Sequence, residues 1–273
     1  MQQRLQQLPP INVLAVDDVP FNLKLLQMWL KDSSCTLHTA TSAEEAIKLC
    51  ADIDYDIILM DIQMPEMDGV TATQHIRRTP LNIGTPIIAL TAHGFSEDRA
   101  YFLSRGFDDF IAKPIDLHVL LGVIETWCAI PSATPIQVPA PEECLKEAAD
   151  CSVTFSWELA IKRANGNNEI AKELLSDFIM QLPKMLRDLK RQFAQSKFSQ
   201  LHATVHKLHG ACCYTGVPRL QALCLEVETK HRRNIEQNLH DVVDKLWNEG
   251  EKVISEGRLF LAELNTIQNS TGL

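Results

Sequence analysis

Between residues 11 and 112, short apolar runs recur at intervals that leave room for one amphipathic helix between each pair. This alternation constrains the fold more than any other feature of the chain. The runs occupy residues 11–16, 36–40, 56–60, 86–90 and 109–112. Strands joined by crossover helices make a parallel sheet, because parallel neighbours cannot be linked by a tight hairpin. The first, third and fourth runs are apolar almost throughout, as expected of strands covered on both faces. Pro20 suits the first turn of the helix after the first strand. Ser42, followed by Ala43-Glu44-Glu45, reads as a capping box that opens the second. The predicted fold of this half is a five-stranded, parallel, doubly wound α/β sheet.

After Trp127 the pattern changes. Pro131, Pro135, Pro139 and Pro141 punctuate a stretch of small residues up to about Ser152, which reads as a partly extended tether. From Thr154 onward glycine and proline become sparse and a 3.6-residue periodicity takes over. Ile170, Leu174, Leu175, Phe178, Leu182, Leu186 and Leu189 form one stripe, interrupted by Pro183, which is expected to kink or divide that helix. Leu239, Val242, Val243, Leu246, Trp247, Val253 and Ile254 form another, with Gly250 in the seam where a neighbouring helix can come close. The all-α half is predicted to be a four-helix bundle with an additional N-terminal helix. The organisation expected is a tail over 1–9, an α/β domain over 10–128, a proline-rich linker over 129–152, a helical domain over 153–262 and a tail over 263–273.

Composition excludes several function classes. With 273 residues, 45% apolar and 22% charged, the chain can bury two cores and is not disordered. No stretch approaches the roughly 18 uninterrupted apolar residues of a spanning helix, and the glutamine-rich start lacks a signal-peptide core. Eight cysteines without a CxxC pair fit thiols kept reduced in a cytosol. The expected location is therefore cytoplasmic. Residues 1–130 hold 9 Lys and Arg against 17 Asp and Glu (9 − 17 = −8), and residues 131–273 hold 17 against 18 (17 − 18 = −1). Neither half is basic enough to suggest direct nucleic-acid binding.

The residues at the carboxyl ends of the strands carry the chemistry. Asp17 and Asp18 end the first strand, Asp61 the third and Thr91 the fourth, and Lys113 precedes Pro114 after the fifth. That edge of an open parallel sheet is where ligands bind, so these side chains are expected to converge on one pocket. Taken singly, an Asp after a strand is often a helix cap and Lys-Pro is often a turn. Capping, however, requires neither a Lys after the fifth strand nor a Thr after the fourth. Packed carboxylates repel unless a cation joins them, and oxygen ligands with open positions suit Mg²⁺. With Lys113 as a second positive charge, a carboxylate can act as nucleophile on a phosphoryl group, and Thr91 can donate a hydrogen bond to it.

Through Asp17-Asp18, the run Leu59-Met60-Asp61-Ile62-Gln63-Met64-Pro65-Glu66-Met67-Asp68-Gly69, Thr91-Ala92 and Lys113-Pro114, residues 10–128 resemble the receiver domain of two-component signalling. The resemblance implies that Asp61 is the phosphoacceptor. It also implies that Asp18 and the Gln63 backbone carbonyl help to bind Mg²⁺ with Asp61, while Asp17 assists through water. Phe110 matches the switch aromatic that follows the Thr91 hydroxyl.

The second chemical feature is the run Leu201-His202-Ala203-Thr204-Val205-His206-Lys207-Leu208-His209-Gly210-Ala211-Cys212-Cys213. At about 100° per residue, Leu201, Val205, Leu208 and Cys212 share one face, and His202, His206 and His209 cluster on another. Glycine inside a helix costs about 1 kcal/mol against alanine, so Gly210 calls for a reason, and close approach of a partner is one. Ala203 and Gly210 give clearance around His206, and Lys207 and His209 offer local positive charge. Two other readings compete: a polar face without a role, and Zn²⁺ binding by histidines at i, i+4 and i+7, for which no acidic third ligand or HExxH base is present. The segment His206-Lys207-Leu208-His209-Gly210 followed by Gly216 resembles the signature of histidine phosphotransfer domains over residues 153–262, which implies that His206 takes the phosphohistidine position. The family usually has Lys where His209 stands here.

The order of receiver, linker and phosphotransfer domain, with the stretch from His206 to Leu223, resembles the C-terminal part of tripartite hybrid sensor kinases of the BarA/GacS type. Nothing in the chain resembles a kinase nucleotide-binding region, and Met1 to Gln7 reads as the tail of an upstream element. The resemblance implies a phosphorelay: a kinase phosphohistidine donates to Asp61, Asp61 to His206, and His206 to the receiver domain of a separate response regulator. The expected partners are thus an upstream histidine kinase core and that regulator, with a membrane involved only through parts of a parent outside this chain. Two alternatives remain open from the residues. One is a phosphatase-like hydrolase, whose D-x-D nucleophile run after strand one is absent from Asp17-Asp18-Val19. The other is a binding module switched by phosphorylation without onward transfer.

Overall fold

The computed structural model describes residues 2–91, 98–128, 152–232 and 239–270. They form two compact units, residues 1–147 and 148–273.

In the first unit the strands β1 (Asn12–Val16), β2 (Thr36–Ala40), β3 (Ile57–Asp61), β4 (Ile87–Thr91) and β5 (Asp109–Ala112) form one parallel sheet in the order β2-β1-β3-β4-β5. Helices α1 (Gln2–Gln7), α2 (Pro20–Leu30), α3 (Ala43–Asp52), α4 (Gly69–Ile76), α5 (Asp98–Ser104) and α6 (Leu117–Trp127) precede, connect and follow them. Every residue of β3 and β4, and all of β1 after Asn12, is buried, as runs covered on both faces require. Strands β1, β3 and β4 begin one residue later than the apolar runs suggested, and β3 and β4 end one residue later. Asp61 and Thr91 are therefore the last residues of their strands. Pro86 has no N–H to give a ladder, and it contributes only its carbonyl, to the Ile58 N–H (2.9 Å).

Pro20 opens α2 at its first turn. Ser42 caps α3 by accepting from the Glu45 N–H (3.2 Å), but Glu45 reaches back to the Thr41 N–H (2.7 Å) and not to Ser42 itself. The reciprocal box is thus displaced by one residue on one side. Before β1, Leu5 and Leu8 are buried, and Arg4 makes a two-pronged ion pair with Glu125 of α6 at 3.0 and 2.8 Å.

The second unit holds α7 (Trp157–Arg163), α8 (Asn168–Ala194), α9 (Phe198–Cys212), α10 (Pro218–Arg232) and α11 (Leu239–Ser270). This is the expected short helix followed by four long ones. All seven residues of the Ile170 to Leu189 stripe are buried. Pro183 does not divide the helix: α8 runs through it unbroken. The buried Leu182 and Leu186 on either side hold the turn, so the lost hydrogen bond is outweighed by packing. The proline stretch over 131–141 lies outside the described residues.

Two glycines of α11 make the seam with α8. A Cβ on Gly250 would lie 2.7 Å from both Leu186 methyls, and one on Gly257 would lie 2.6 Å from Ile179 Cδ1. Gly216 has a positive φ of 68°, and a Cβ there would lie 2.2 Å from the Ser156 carbonyl. Its own carbonyl accepts the Ser156 N–H at 2.7 Å, so the start of α7 is stitched to the turn between α9 and α10. Gly250→Leu is expected to lower the stability of the helical unit by about 1–3 kcal/mol through overpacking against Leu186. Leu186→Ala in the same chain should return part of that loss, and thermal melts of the three variants check it.

Candidate functional site

The order of the strands reverses between β1 and β3, which opens the crevice beyond their carboxyl ends. Val16 is in register with Met60, so Asp17 and Asp61 emerge side by side. Asp17, Asp18, Asp61 and Thr91 are all buried. The peptide bond before Pro114 is cis, and the Lys113 N–H bonds the Thr91 carbonyl at 2.7 Å, which sets Lys113 beside the end of β4. Its ammonium lies 2.8 Å from Asp17 Oδ2 and 2.8 Å from Asp61 Oδ2. Burial pulls the Lys113 pKa down, but the charges and hydrogen bonds of Asp17 and Asp61 outweigh it and hold the pKa above the ordinary lysine value. Lys113 is therefore a fixed cation between two carboxylates 44 positions apart in the chain.

Asp17 is also held from its own side. Oδ1 accepts the Val19 N–H (2.9 Å), and the Asn22 amide donates to both oxygens (3.0 and 2.9 Å). Asn22, the polar residue on the otherwise apolar buried face of α2, is not marked out by the sequence patterns. Its place two residues after Pro20 is the one signal that could have marked it. Asp61 Oδ1 accepts the Gln63 N–H at 3.3 Å. A Cβ on Gly69 would lie 2.0 Å from the Asp61 carbonyl, and the Gly69 N–H bonds the Ile62 carbonyl at 3.0 Å. The glycine closing the Leu59 to Gly69 run thus lets α4 press directly on the main chain of Asp61. Phe110 on β5, in register with Ala89 on β4, packs on the core with its ring 6.0 Å from that of Phe102. The chemistry of the donor set fits a hard divalent ion: three carboxylates against one ammonium leave an excess of negative oxygen donors.

In the second unit, Leu201, Val205, Leu208 and Cys212 are buried as their periodicity indicated, and His202, His206, Lys207, His209 and Gly210 are partly exposed. The residue that organises the histidines was missed. Glu228 of α10 accepts from both rings: its Oε1 lies 2.9 Å from His206 Nδ1 and its Oε2 2.9 Å from His209 Nδ1. Burial pushes the Glu228 carboxyl up, but the hydrogen bonds and charges of His206 and His209 outweigh it and hold it well below the usual carboxylate range. An ionised carboxylate can only accept, so both Nδ1 atoms carry the proton. In the neutral ring the lone pair then sits on Nε2.

Comparison with known proteins finds a matching family in each of the two units. The response regulator receiver domain family matches residues 13–125, and the Hpt domain family matches residues 173–266. The signal transduction histidine-protein kinase BarA of Shigella flexneri is 34% identical over 246 residues, which are 87% of this chain and 26% of BarA. The sensor protein GacS of Pseudomonas syringae pv. syringae is 32% identical over 248 residues, 86% of this chain and 27% of GacS. The chain thus spans about a quarter of the length of these relatives. Among solved structures, the receiver domain of sensor histidine kinase PA1611 from Pseudomonas aeruginosa, with a magnesium ion in its active-site cleft, is 30% identical. It covers 44% of this chain and 99% of its own, with a TM-score of 0.41. Among the described residues no helix is long and apolar enough to cross a membrane. The chain carries a response regulator receiver domain and an Hpt domain, and over most of its length it is homologous to the receiver and Hpt region of the BarA and GacS kinases.

Proposed function

We propose that residues 10–128 receive a phosphoryl group on Asp61 from a kinase phosphohistidine and that residues 153–262 take it onto His206 for delivery to a separate response regulator. The observation that carries this reading is the pairing of a carboxylate clamped by Lys113 with an imidazole whose Nδ1 is held by Glu228. An Asp61 carboxylate oxygen attacks phosphorus as the P–N bond to the kinase imidazole breaks and its nitrogen keeps the electron pair, and the Lys113 ammonium neutralises charge on the transferring oxygens. Thr91 donates its hydroxyl to the same group, and Phe110 follows that hydroxyl. In the second step the His206 Nε2 lone pair attacks as the P–O bond to Asp61 breaks and the carboxylate leaves, with Glu228 fixing the ring's tautomer, Lys207 supplying charge and Gly210 clearance. The 129–152 stretch makes the step intramolecular, with an effective concentration in the mM range.

Asp18, Asp61 and the Gln63 carbonyl would hold Mg²⁺, with Asp17 assisting through water. Bound there, the ion adds charge neutralisation on the phosphoryl oxygens. As part of a membrane-anchored kinase, this segment would work in the cytoplasm, with the kinase core upstream and the regulator's receiver downstream as its partners.

Labelled phosphate from a cognate kinase should reach His206 in the intact chain and be absent from Asp61→Asn. His206→Gln should lose delivery to the regulator, and full delivery by that variant would overturn the assignment. Chelation of Mg²⁺ should suppress labelling of Asp61, and added Mg²⁺ should restore it. Glu228→Leu should slow acceptance by His206 about 10²-fold through loss of positioning. It should also move the ¹⁵N signals of the His206 ring from the Nδ1–H pattern towards Nε2–H, which a purely structural role for Glu228 would not do.

A further inference from the structure

His206 and His209 are treated alike by the fold. Each gives its Nδ1 to one oxygen of the same carboxylate at 2.9 Å. Their side chains are exposed to nearly the same degree, 19% and 15%. They stand three residues apart on one helix, about 4.5 Å along its axis, and therefore on neighbouring parts of one face. His209 is followed directly by Gly210, so no side chain crowds it from that position. What makes an imidazole a phosphoryl acceptor is a nucleophilic Nε2, a fixed tautomer, a carboxylate that supports the charge of the product, and small neighbours. His209 has the first three by the same contacts that provide them to His206.

We propose that His209 Nε2 is a second phosphoacceptor, taking the phosphoryl group from phosphoaspartate in parallel with His206. This rests on the relay reading above. In the step, the Nε2 lone pair forms a P–N bond as the P–O bond to the aspartyl carboxylate breaks, and the carboxylate leaves with the electron pair. The proton on Nδ1 stays in its hydrogen bond to Glu228, whose negative charge balances the cationic ring. No further reactant is needed.

Glu228 has one oxygen for each ring, so the two acceptors are not alternatives for a single support. His206 has the added clearance of Ala203 one turn earlier, and this makes it the faster of the two. His209 is the slower site, filled when His206 is absent or already occupied.

The test uses the full chain with Mg²⁺ and acetyl phosphate as donor, and reads base-stable, acid-labile phosphate by fragment-ion mapping. His206→Gln should keep histidine-type label on His209, at about a tenth of the wild-type amount for a modest loss of positioning. His206→Gln/His209→Gln should keep none. In the wild-type chain, mapping should find a minor fraction on His209, a measurement that depends on no substitution. The proposal is overturned if His206→Gln melts like wild type and forms phosphoaspartate normally yet carries no base-stable label, or if that label maps to another residue. Absence of histidine-type label from the wild-type chain would instead defeat the relay reading itself.

Discussion

One ammonium between two carboxylates organises the receiver unit. Lys113 arrives from beyond β5, Asp17 from β1 and Asp61 from β3, and the three meet only because the sheet order places β1 beside β3 and leaves β5 at the edge. Desolvating an isolated charge is costly, and partial pairing makes it tolerable only when every group is tightly held. The structure shows that holding on each side: Asn22 and the Val19 N–H on Asp17, the Gln63 N–H on Asp61, and the Thr91 carbonyl on the Lys113 main chain. Three carboxylates against one fixed ammonium leave a residual negative charge at the strand ends, which is the electrostatic condition a hard cation requires.

The helical unit solves the complementary problem with one carboxylate and two rings. Glu228 lies 22 positions after His206, on the next helix, and it settles which nitrogen of each ring carries the proton. A hydroxyl nucleophile has no such choice to make, whereas an imidazole does, and the wrong tautomer presents an N–H where a lone pair is needed. Acidic support for the histidines thus comes from outside their own helix.

The elements were legible where a local pattern carried the information. Uninterrupted apolar runs marked β3 and β4, and 3.6-residue stripes marked α8 and α11. Asp61, Thr91 and Lys113 stood out because they punctuate those runs. What was not legible depends on how one element is rotated against another. Glu226 and Glu228 both lie on α10, and only packing against α9 decides that Glu228 faces the histidines. Gly257 was missed beside Gly250 because its reason is Ile179, a residue on another helix. The local cost of Pro183 alone predicts a kink or a break, whereas the burial of Leu182 and Leu186 on other helices' surfaces, which no local pattern weighs, keeps α8 unbroken.

The entrance to the helical unit is secured at two places. Ser156 is bonded to Gly216 at the corner between α9 and α10, while the rings of Phe155 and Trp157 each lie 5.1 Å from that of Phe260 on α11. A pull arriving along the chain ahead of Phe155 is therefore divided between a corner and a distant helix, both away from the middle of α9. The histidine face is in this way mechanically insulated from a load that enters the helical unit at Phe155.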